Sequence, residues 1–564
     1  MLQTKKADFK QIGARFRIDP VTARIIRNRG IKGEAAIDRY LNGTLDDLYD
    51  PMLLKDMERA VSILCEAVDT GKKIRIVGDY DIDGVCSTYI LLQAFERLGS
   101  DVDFEIPDRI KDGYGINESI IEQAHADGVE VILTCDNGIS AFHQVELAKK
   151  YGMTVVITDH HEVPLDGEKE KIPPADAVID PKQADCPYPF PEICGAVVAY
   201  KLVQVLYARR GVPQMEWLDL LEFAAIATVG DVMKLQDENR ILVKYGLKKM
   251  AQTKNLGLRR LAEKNNLDLG AITAYHIGFV IGPCLNAGGR LKTAKEALAL
   301  LRAQSEEEAE RLAEELKELN DTRKDMTEQG TEAAKLQVES WYQKDKVLVV
   351  FLPECHESLA GIIAGRLREY YQKPAIVLTR GEEAVKGSGR SIDEYHMFKK
   401  LTEVSDLLLK FGGHPLAAGL SLEEKNIDEF RRRLNENAGL TEEDFKAKVW
   451  IDVPMPVGYV TERLVRELSC LEPFGQGNEK PLFAEKSLRI RASRVLGRNR
   501  NVVKMTLEET DGHAIEALYF GDGTAFEEER AGRREIDVVY YPDINEYNGR
   551  KTLQAVIRRY KFRG

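Results

Sequence analysis

Three times between residues 74 and 161, a run of aliphatic and β-branched residues stops at a carboxylate. Ile-Arg-Ile-Val-Gly ends at Asp79, Val-Ile-Leu-Thr-Cys at Asp136, and Val-Val-Ile-Thr at Asp159. Runs so short and apolar fit strands buried on both faces, and the segments between them carry helical periodicity. Candidate strands are 74–79, 102–107, 130–135, 154–158 and 176–179, and candidate helices are 86–98, 117–126 and 141–151. Strands alternating with helices predict an α/β fold with a parallel, doubly wound sheet. In such a sheet ligands gather beyond the carboxyl ends of the strands, which is where these acidic residues fall.

Asp79, Asp81 and Asp83 alternate, so extended backbone would project all three the same way. Like charges that close repel, and a divalent cation that prefers oxygen ligands, Mg²⁺ or Mn²⁺, relieves them. Asp136 and the run Asp159-His160-His161 bring further ligand types from two more strand ends. A consistent assignment places one cation on Asp79, Asp81 and Asp136. A second sits on Asp83, Asp136, His160 and Asp231, with Asp136 between the two. Paired metals of this kind act on phosphate esters, and His161 would touch a non-bridging phosphate oxygen. His161, Asp136, Asp81 and Asp83 are the candidate catalytic groups. Asp231 follows the apolar run Phe-Ala-Ala-Ile-Ala-Thr-Val-Gly, where a helix-end cap is the other reading. Asp159 reads equally as a loop cap, as a group orienting a histidine, or as a ligand.

Beyond the first unit the pattern changes twice. Residues 1–70 read as a helical lead-in, 71–300 as the unit bearing the acidic motifs, and 301–343 as a proline-free connecting helix with Ala309, Leu312, Leu316 and Leu319 at helical spacing. Residues 344–445 return to a strand–helix–strand pattern in a smaller α/β lobe. Residues 446–564 hold short alternating runs separated by Gly, Asn and Asp, as in a five-stranded β-barrel of the OB type. The net charge of −12 over 564 residues counts against a nucleic-acid partner. Its distribution does not. Residues 486–504 carry seven basic residues and no acidic one, among them Arg489, Arg491, Arg494, Arg498, Arg500 and Lys504. Such a run is either a strand-binding surface or a solvated face. Eight cysteines without a Cys-x-x-Cys pair argue for reduced thiols and a cytoplasmic location, and against zinc. No apolar stretch approaches the ~18 residues of a membrane span, and the start lacks the hydrophobic region of a signal peptide.

Asp-Tyr-Asp-Ile-Asp-Gly, Asp136-Asn-Gly, Asp159-His160-His161 and Gly230-Asp231 resemble the four motifs of the DHH phosphoesterases. Further matches are similar to the single-strand-specific 5′→3′ DNA exonuclease branch of that family. They are the 107–115 loop, Gly-Pro-Cys-Leu-Asn-Ala-Gly-Gly-Arg at 282–290, Phe-Gly-Gly-His-Pro-Leu-Ala-Ala-Gly at 411–419 (the hallmark of a DHHA1 domain), and Leu-Glu-Pro-Phe-Gly-Gln-Gly-Asn at 471–478. The resemblance spans about 45–564. It implies a DHH domain, a DHHA1 domain and an OB-fold, two Mn²⁺ or Mg²⁺ ions, and release of 5′-mononucleotides from single-stranded DNA in recombination and repair. It also implies a 5′-phosphate clamp at Arg109, Arg290, Ser388 and Arg390, a DNA contact at His414, and a monomer served by a RecQ-type helicase and a single-strand-binding protein. Departures are Cys355 before His356 where an aromatic is frequent, Ser358 where glycine is, and Gly389 where alanine is usual. Two rival readings share the core. A phosphodiesterase of short oligoribonucleotides or cyclic dinucleotides would not need the barrel, and a non-catalytic replication scaffold would be expected to have lost ligands.

Overall fold

Five strands of the first unit form one parallel sheet in the order Val102–Glu105, Ile74–Val77, Val131–Cys135, Thr154–Thr158, Ala177–Ile179. The computed structural model describes residues 1–564 apart from 4, 110, 548 and 564 and the side chain of residue 547. Ile110, within the 107–115 motif, therefore lies outside the described residues. Ile74, Ile76, Leu133 and Val156 face a large helical core, while Val77, Ile132, Val155 and Ile157 face the helices Glu118–Ala126 and Phe142–Lys150. Each such buried side chain stabilises the fold by roughly 1.5–3 kcal/mol. Apolar residues at consecutive positions are thus both core residues, because the sheet is covered on both faces. In the register, Val77 lies beside Thr134, and Cys135 beside Thr158. The loops after these three strands therefore leave the sheet at one edge.

The first strand is shorter than predicted and the helix after it starts earlier, at Ile82. The reason is a cap. Asp81 accepts hydrogen bonds from the backbone N–H of Asp83 (2.9 Å) and Gly84 (3.2 Å), the arrangement that satisfies a helix N-terminus. Asp79, Asp81 and Asp83 are therefore not an extended row. They occupy the loop after the strand, an N-cap and a first helical turn.

The helix Glu306–Gln337 joins the lobes. Leu312, Ala313 and Leu316 pack into the first core, while Ala334 and the following Val338 pack into the second. Its acidic face is paired, with Lys264 between Glu310 and Glu314 at 2.6 Å each. The second sheet runs Leu408–Gly413, Ala417–Leu422, Val385–Arg390, Ala375–Arg380, Leu348–Phe351, with only the last pair parallel. The C-terminal strands Phe483–Leu496, Val502–Glu508, Ala514–Phe520, Arg550–Phe562 and Glu535–Tyr547 close into a barrel, because the first also pairs with the last. They run past the short alternating stretches of the sequence, and the core reaches strand ends such as Phe483 and Phe562.

The N-terminal helices are not a free lead-in. Ile25, Ile26, Ile37 and Tyr40 share one core with Phe483, Leu488 and Val503 of the barrel. Arg29 and Asp452 form a buried ion pair at 2.8 Å. Arg240, from the first lobe and 2 % exposed, stacks on Tyr40 and donates to the carbonyls of Tyr40, Cys470 and Leu471. One side chain thus pins three parts of the chain. Arg240→Met would remove the guanidinium donors to the carbonyls of Tyr40, Cys470 and Leu471, of which Leu471 keeps Asn478 Nδ2 at 2.8 Å. It is expected to destabilise the protein by about 2–4 kcal/mol, read as a lower urea midpoint for the transition reported by the barrel. An unchanged midpoint would show that the junction does not depend on these bonds.

Candidate metal centre

Five carboxylates and a histidine meet at the sheet edge. Asp79, Asp81 and Asp136 can each offer an oxygen within 4.8 Å of the others, and Asp83, His160 and Asp231 form a second such group. His160 Nε2 lies 3.1 Å from Asp136 Oδ1, 3.4 Å from Asp83 and 3.8 Å from Asp231. Asp136 therefore adjoins both groups, as its predicted bridging position requires.

The backbone builds the site. Asp136 has φ of +62°, a left-handed conformation that aspartate tolerates better than most residues and that clusters at functional sites. Asn137 secures the turn, donating to the carbonyls of Val77 and Cys135 and accepting from Ile116 N–H. Asp83 accepts from the N–H groups of Gly195 and Ala196 at 2.7 Å each, so it sits at the positive end of the helix Gly195–Arg210. Gly195 has to be glycine, because a Cβ there would lie 2.7 Å from the Cβ of Asp136.

Charge is concentrated to the point of instability. Burial, then the charges of Asp83, Asp81, Asp79 and Asp231, push Asp136 well above the carboxylate range. Burial and Asp81 raise Asp79 to about 8, and burial with Asp83 and Asp81 raises Asp231 to about 8. Asp136 Oδ1 has no hydrogen-bond donor among the described residues. A donor set rich in carboxylate oxygen, with one imidazole held neutral chiefly by burial (His160), fits divalent cations of the Mg²⁺ and Mn²⁺ type.

Asp159 is the anchor of the histidine pair. It accepts from the N–H of Ile139, His160 and His161 and from His161 Nδ1 at 2.7 Å. Burial alone would raise it, but these bonds and the two histidines hold it below its ordinary value. Burial opposes protonation of His161 too, yet the Asp159 bond and charge lift it to about 9. The Asp159 contact thus favours its protonated form. Tyr114, whose hydroxyl lies 3.0 Å from His161 Nδ1 and 2.9 Å from the Asp136 carbonyl, covers the same side. The sequence places Tyr114 in a motif loop but offers no signal that it reaches back to the centre.

The predicted clamp residues gather across the gap between lobes. Arg290 donates to Ser358 O, Arg390 lies against Ser388 Oγ at 3.2 Å, and Arg109 stacks on Tyr80. Burial, followed by Arg109, Arg323 and Arg390, lowers Arg290 to about 10, so several cations face one another. A Cβ on Gly361, at the start of the helix Ala360–Tyr371, would touch Arg390 Nη2 and Ser388 Oγ at 2.8 and 2.9 Å. His414 stands apart, exposed at a hairpin tip with its N–H on Ala417 O. On the barrel, Arg489, Arg491, Arg494, Arg498 and Arg500 are exposed and Lys504 is half-buried. Neighbouring strands bring carboxylates that the local sequence lacks: Glu508 lies 3.3 Å from Arg491 and Glu516 lies 2.8 Å from Lys504. Arg489, Arg494 and Arg498 form no ion pair among the described residues.

Three family models match the chain: the DHH family, N-terminal domain, over 73–228; the DHHA1 domain over 344–439; and the RecJ OB domain over 451–559. The chain is 36% identical over 553 residues to the single-stranded-DNA-specific exonuclease RecJ of Bacillus subtilis (strain 168), covering 97% of this chain and 69% of the relative. Its structure is similar to that of Thermus thermophilus RecJ in complex with Mn²⁺ (TM-score 0.85, 28% identity, covering 100% of this chain and 79% of the other). The same protein in complex with Mg²⁺ matches with TM-score 0.78 and 27% identity over 100% of this chain and 78% of the other.

Neutralising Asp136 tests the charge argument. In chelator, Asp136→Asn is expected to melt higher than the wild type, by about 1–2 kcal/mol of relieved repulsion. Mn²⁺ should raise the melting temperature of the wild type far more than that of the variant, because only binding to the folded state stabilises. Equal Mn²⁺ shifts in calorimetry would remove Asp136 from the site.

Proposed function

The chain belongs to the RecJ family of DHH phosphoesterases, and on that premise we propose that it degrades single-stranded DNA from the 5′ end to mononucleotides. The observation that carries the reading is the pairing of two acidic ligand groups, adjoined by Asp136, with an arginine cluster across the interlobe gap. Asp79, Asp81 and Asp136 would hold one cation and Asp83, His160 and Asp231, with Asp136, a second. Mn²⁺ or Mg²⁺ there supplies an activated water and offsets the charge that develops on the phosphoryl oxygens. The protein's own groups do the rest. His161, cationic and fixed by Asp159, donates to a non-bridging oxygen of the scissile phosphate. Arg109, Arg290, Ser388 and Arg390, with the N–H groups at the start of the helix Ala360–Tyr371, hold the terminal 5′-phosphate and so count off one nucleotide. The barrel steers the strand through its unpaired arginines, and His414 borders the path. Free strand would come from a RecQ-type helicase and be handed over by a single-strand-binding protein in the cytoplasm, to a monomer. No helix among the described residues is long and apolar enough to cross a membrane.

The complete ligand set argues against a scaffold, and the barrel against an enzyme of short oligoribonucleotides or cyclic dinucleotides. The deciding assay compares labelled single-stranded DNA, duplex DNA and short RNA with Mg²⁺ and with Mn²⁺. Mononucleotides released from the 5′ end of the single strand alone are expected, and a preference for short RNA would overturn the reading.

Charge-assisted bonds to phosphate are worth about 1.5–3 kcal/mol, so Arg390→Ala should reduce the preference for 5′-phosphorylated over 5′-hydroxyl DNA by about tenfold or more. Equal slowing on both substrates would make the residue structural. Replacing Arg489, Arg494 and Arg498 together by Ala should flatten the slope of log K against log salt by about 2, at ~0.7 per lost single-strand phosphate contact. An unchanged slope would leave the basic run a solvated face.

A further inference from the structure

One helical run carries surface that the proposed chemistry does not use. Residues 274–291 begin as a short helix, pass through a π-helical turn at Ile277–Ile281, and continue as Gly282–Leu291. Ala274, Ile277 and Ile281 are buried. Tyr275 and Phe279 point outward, 63 % and 67 % exposed, and stack on each other with centroids 4.7 Å apart and planes at 27°. Exposed aromatic pairs are unusual on a surface that meets only water, because each ring leaves a large apolar area unburied. π-helical turns also concentrate at functional sites.

The location gives the pair meaning. A Cβ on Gly278 would lie 3.7 Å from Val229, and one on Gly282 would lie 3.3 Å from Ile82, so this turn packs against the two segments that carry Asp231 and Asp83. Val232, the residue after Asp231, is held at φ +57° and is 66 % exposed. Such a backbone is uncommon for a β-branched residue. Gly230, Gly278, Gly282, Asn286, Arg290 and Arg323 then line a cavity of about 110 Å³ that leads toward the arginine cluster. Arg323 bonds only to Asn320 of its own helix, and neither it nor Arg290 forms an ion pair among the described residues. The run therefore has a cationic end at Arg290, the metal ligands along its flank, and an aromatic end at Phe279, about 16 Å away at 1.5 Å per residue.

We propose that Tyr275 and Phe279 form a stacking platform for bases of the DNA strand just 3′ of the cleaved bond, with Arg323 beside the phosphates between. This rests on the single-stranded-DNA reading above. The occupant follows from continuity with the ligand groups: a strand whose 5′-phosphate lies among the arginines and whose first linkage lies at Asp136 leaves along this face. A base can extend the existing two-ring stack whatever its identity, as a sequence-tolerant exonuclease needs.

The test is an abasic scan of a short 5′-phosphorylated strand made resistant to cleavage by phosphorothioate linkages. Affinity is measured for the wild type and for Y275A/F279A, whose melting temperature must match the wild type; F279W alone serves where the double variant does not fold, and should retain affinity. Stacking removed by alanine substitution weakens binding by about tenfold or more. Wild type should lose that factor when one of the first few bases 3′ of the scissile bond is removed. The double variant should show the loss on intact DNA and be insensitive to the same abasic site. Equal sensitivity of both proteins to every abasic position overturns the platform, and unchanged affinity returns the face to a protein partner. A wild type that binds no single strand at all would fail the functional reading instead.

Discussion

The structure depends on keeping mutually repelling carboxylates together in a buried place. Asp79, Asp83 and Asp136 are at most 2 % exposed, and their ionised forms oppose one another. What holds them is backbone polarity. Asp81 caps one helix, Asp83 lies on the N-terminus of another, and Asp159 gathers N–H groups from two loops. Helix N-termini tolerate negative charge because their free N–H groups and partial positive charge offset it. The doubly wound sheet supplies such termini at one edge, so the fold and the acidic cluster imply each other. Stability is spent locally on a site whose charge is balanced only when cations are bound.

The same opposition of charges organises the gap between the lobes. Arg290 and Arg390 form no ion pair there among the described residues, so the second lobe faces the acidic cluster with a surface suited to anions. The helix Glu306–Gln337 sets the distance between the two, one half in each core. With cations held on the acidic side, a phosphate chain crossing the gap would meet positive charge from both sides.

The barrel is joined to the rest through the N-terminus. Helices at 9–42 complete its core, and Arg240 ties that assembly to the first lobe. Removing the barrel would therefore uncover the N-terminal helices rather than release an independent module. The chain's first residue meets the start of the barrel segment, with Met1 bonded to Val449 and Ile451.

The sequence by itself determined the parallel sheet and the two further lobes, and it supplied the candidate ligands. Apolar runs of strand length ending in carboxylates can be satisfied in few ways, and the donor chemistry of Asp79, Asp81, Asp83, Asp136 and His160 is local information. Where each carboxylate points was not legible. Asp81 became a cap because the helix starts at Ile82, and that start is fixed by contacts with residues more than a hundred positions away, such as Gly195. Asp159 anchors the histidine pair for a similar reason, through Ile139 N–H. The basic run at 486–504 carries no acid in sequence, but antiparallel pairing set Glu508 and Glu516 beside Arg491 and Lys504. Tyr114 over the centre, the helices completing the barrel and the outward ring pair at Tyr275 and Phe279 were decided by tertiary structure alone. In each case the property that matters is which distant group a side chain meets, and a linear pattern records only near neighbours.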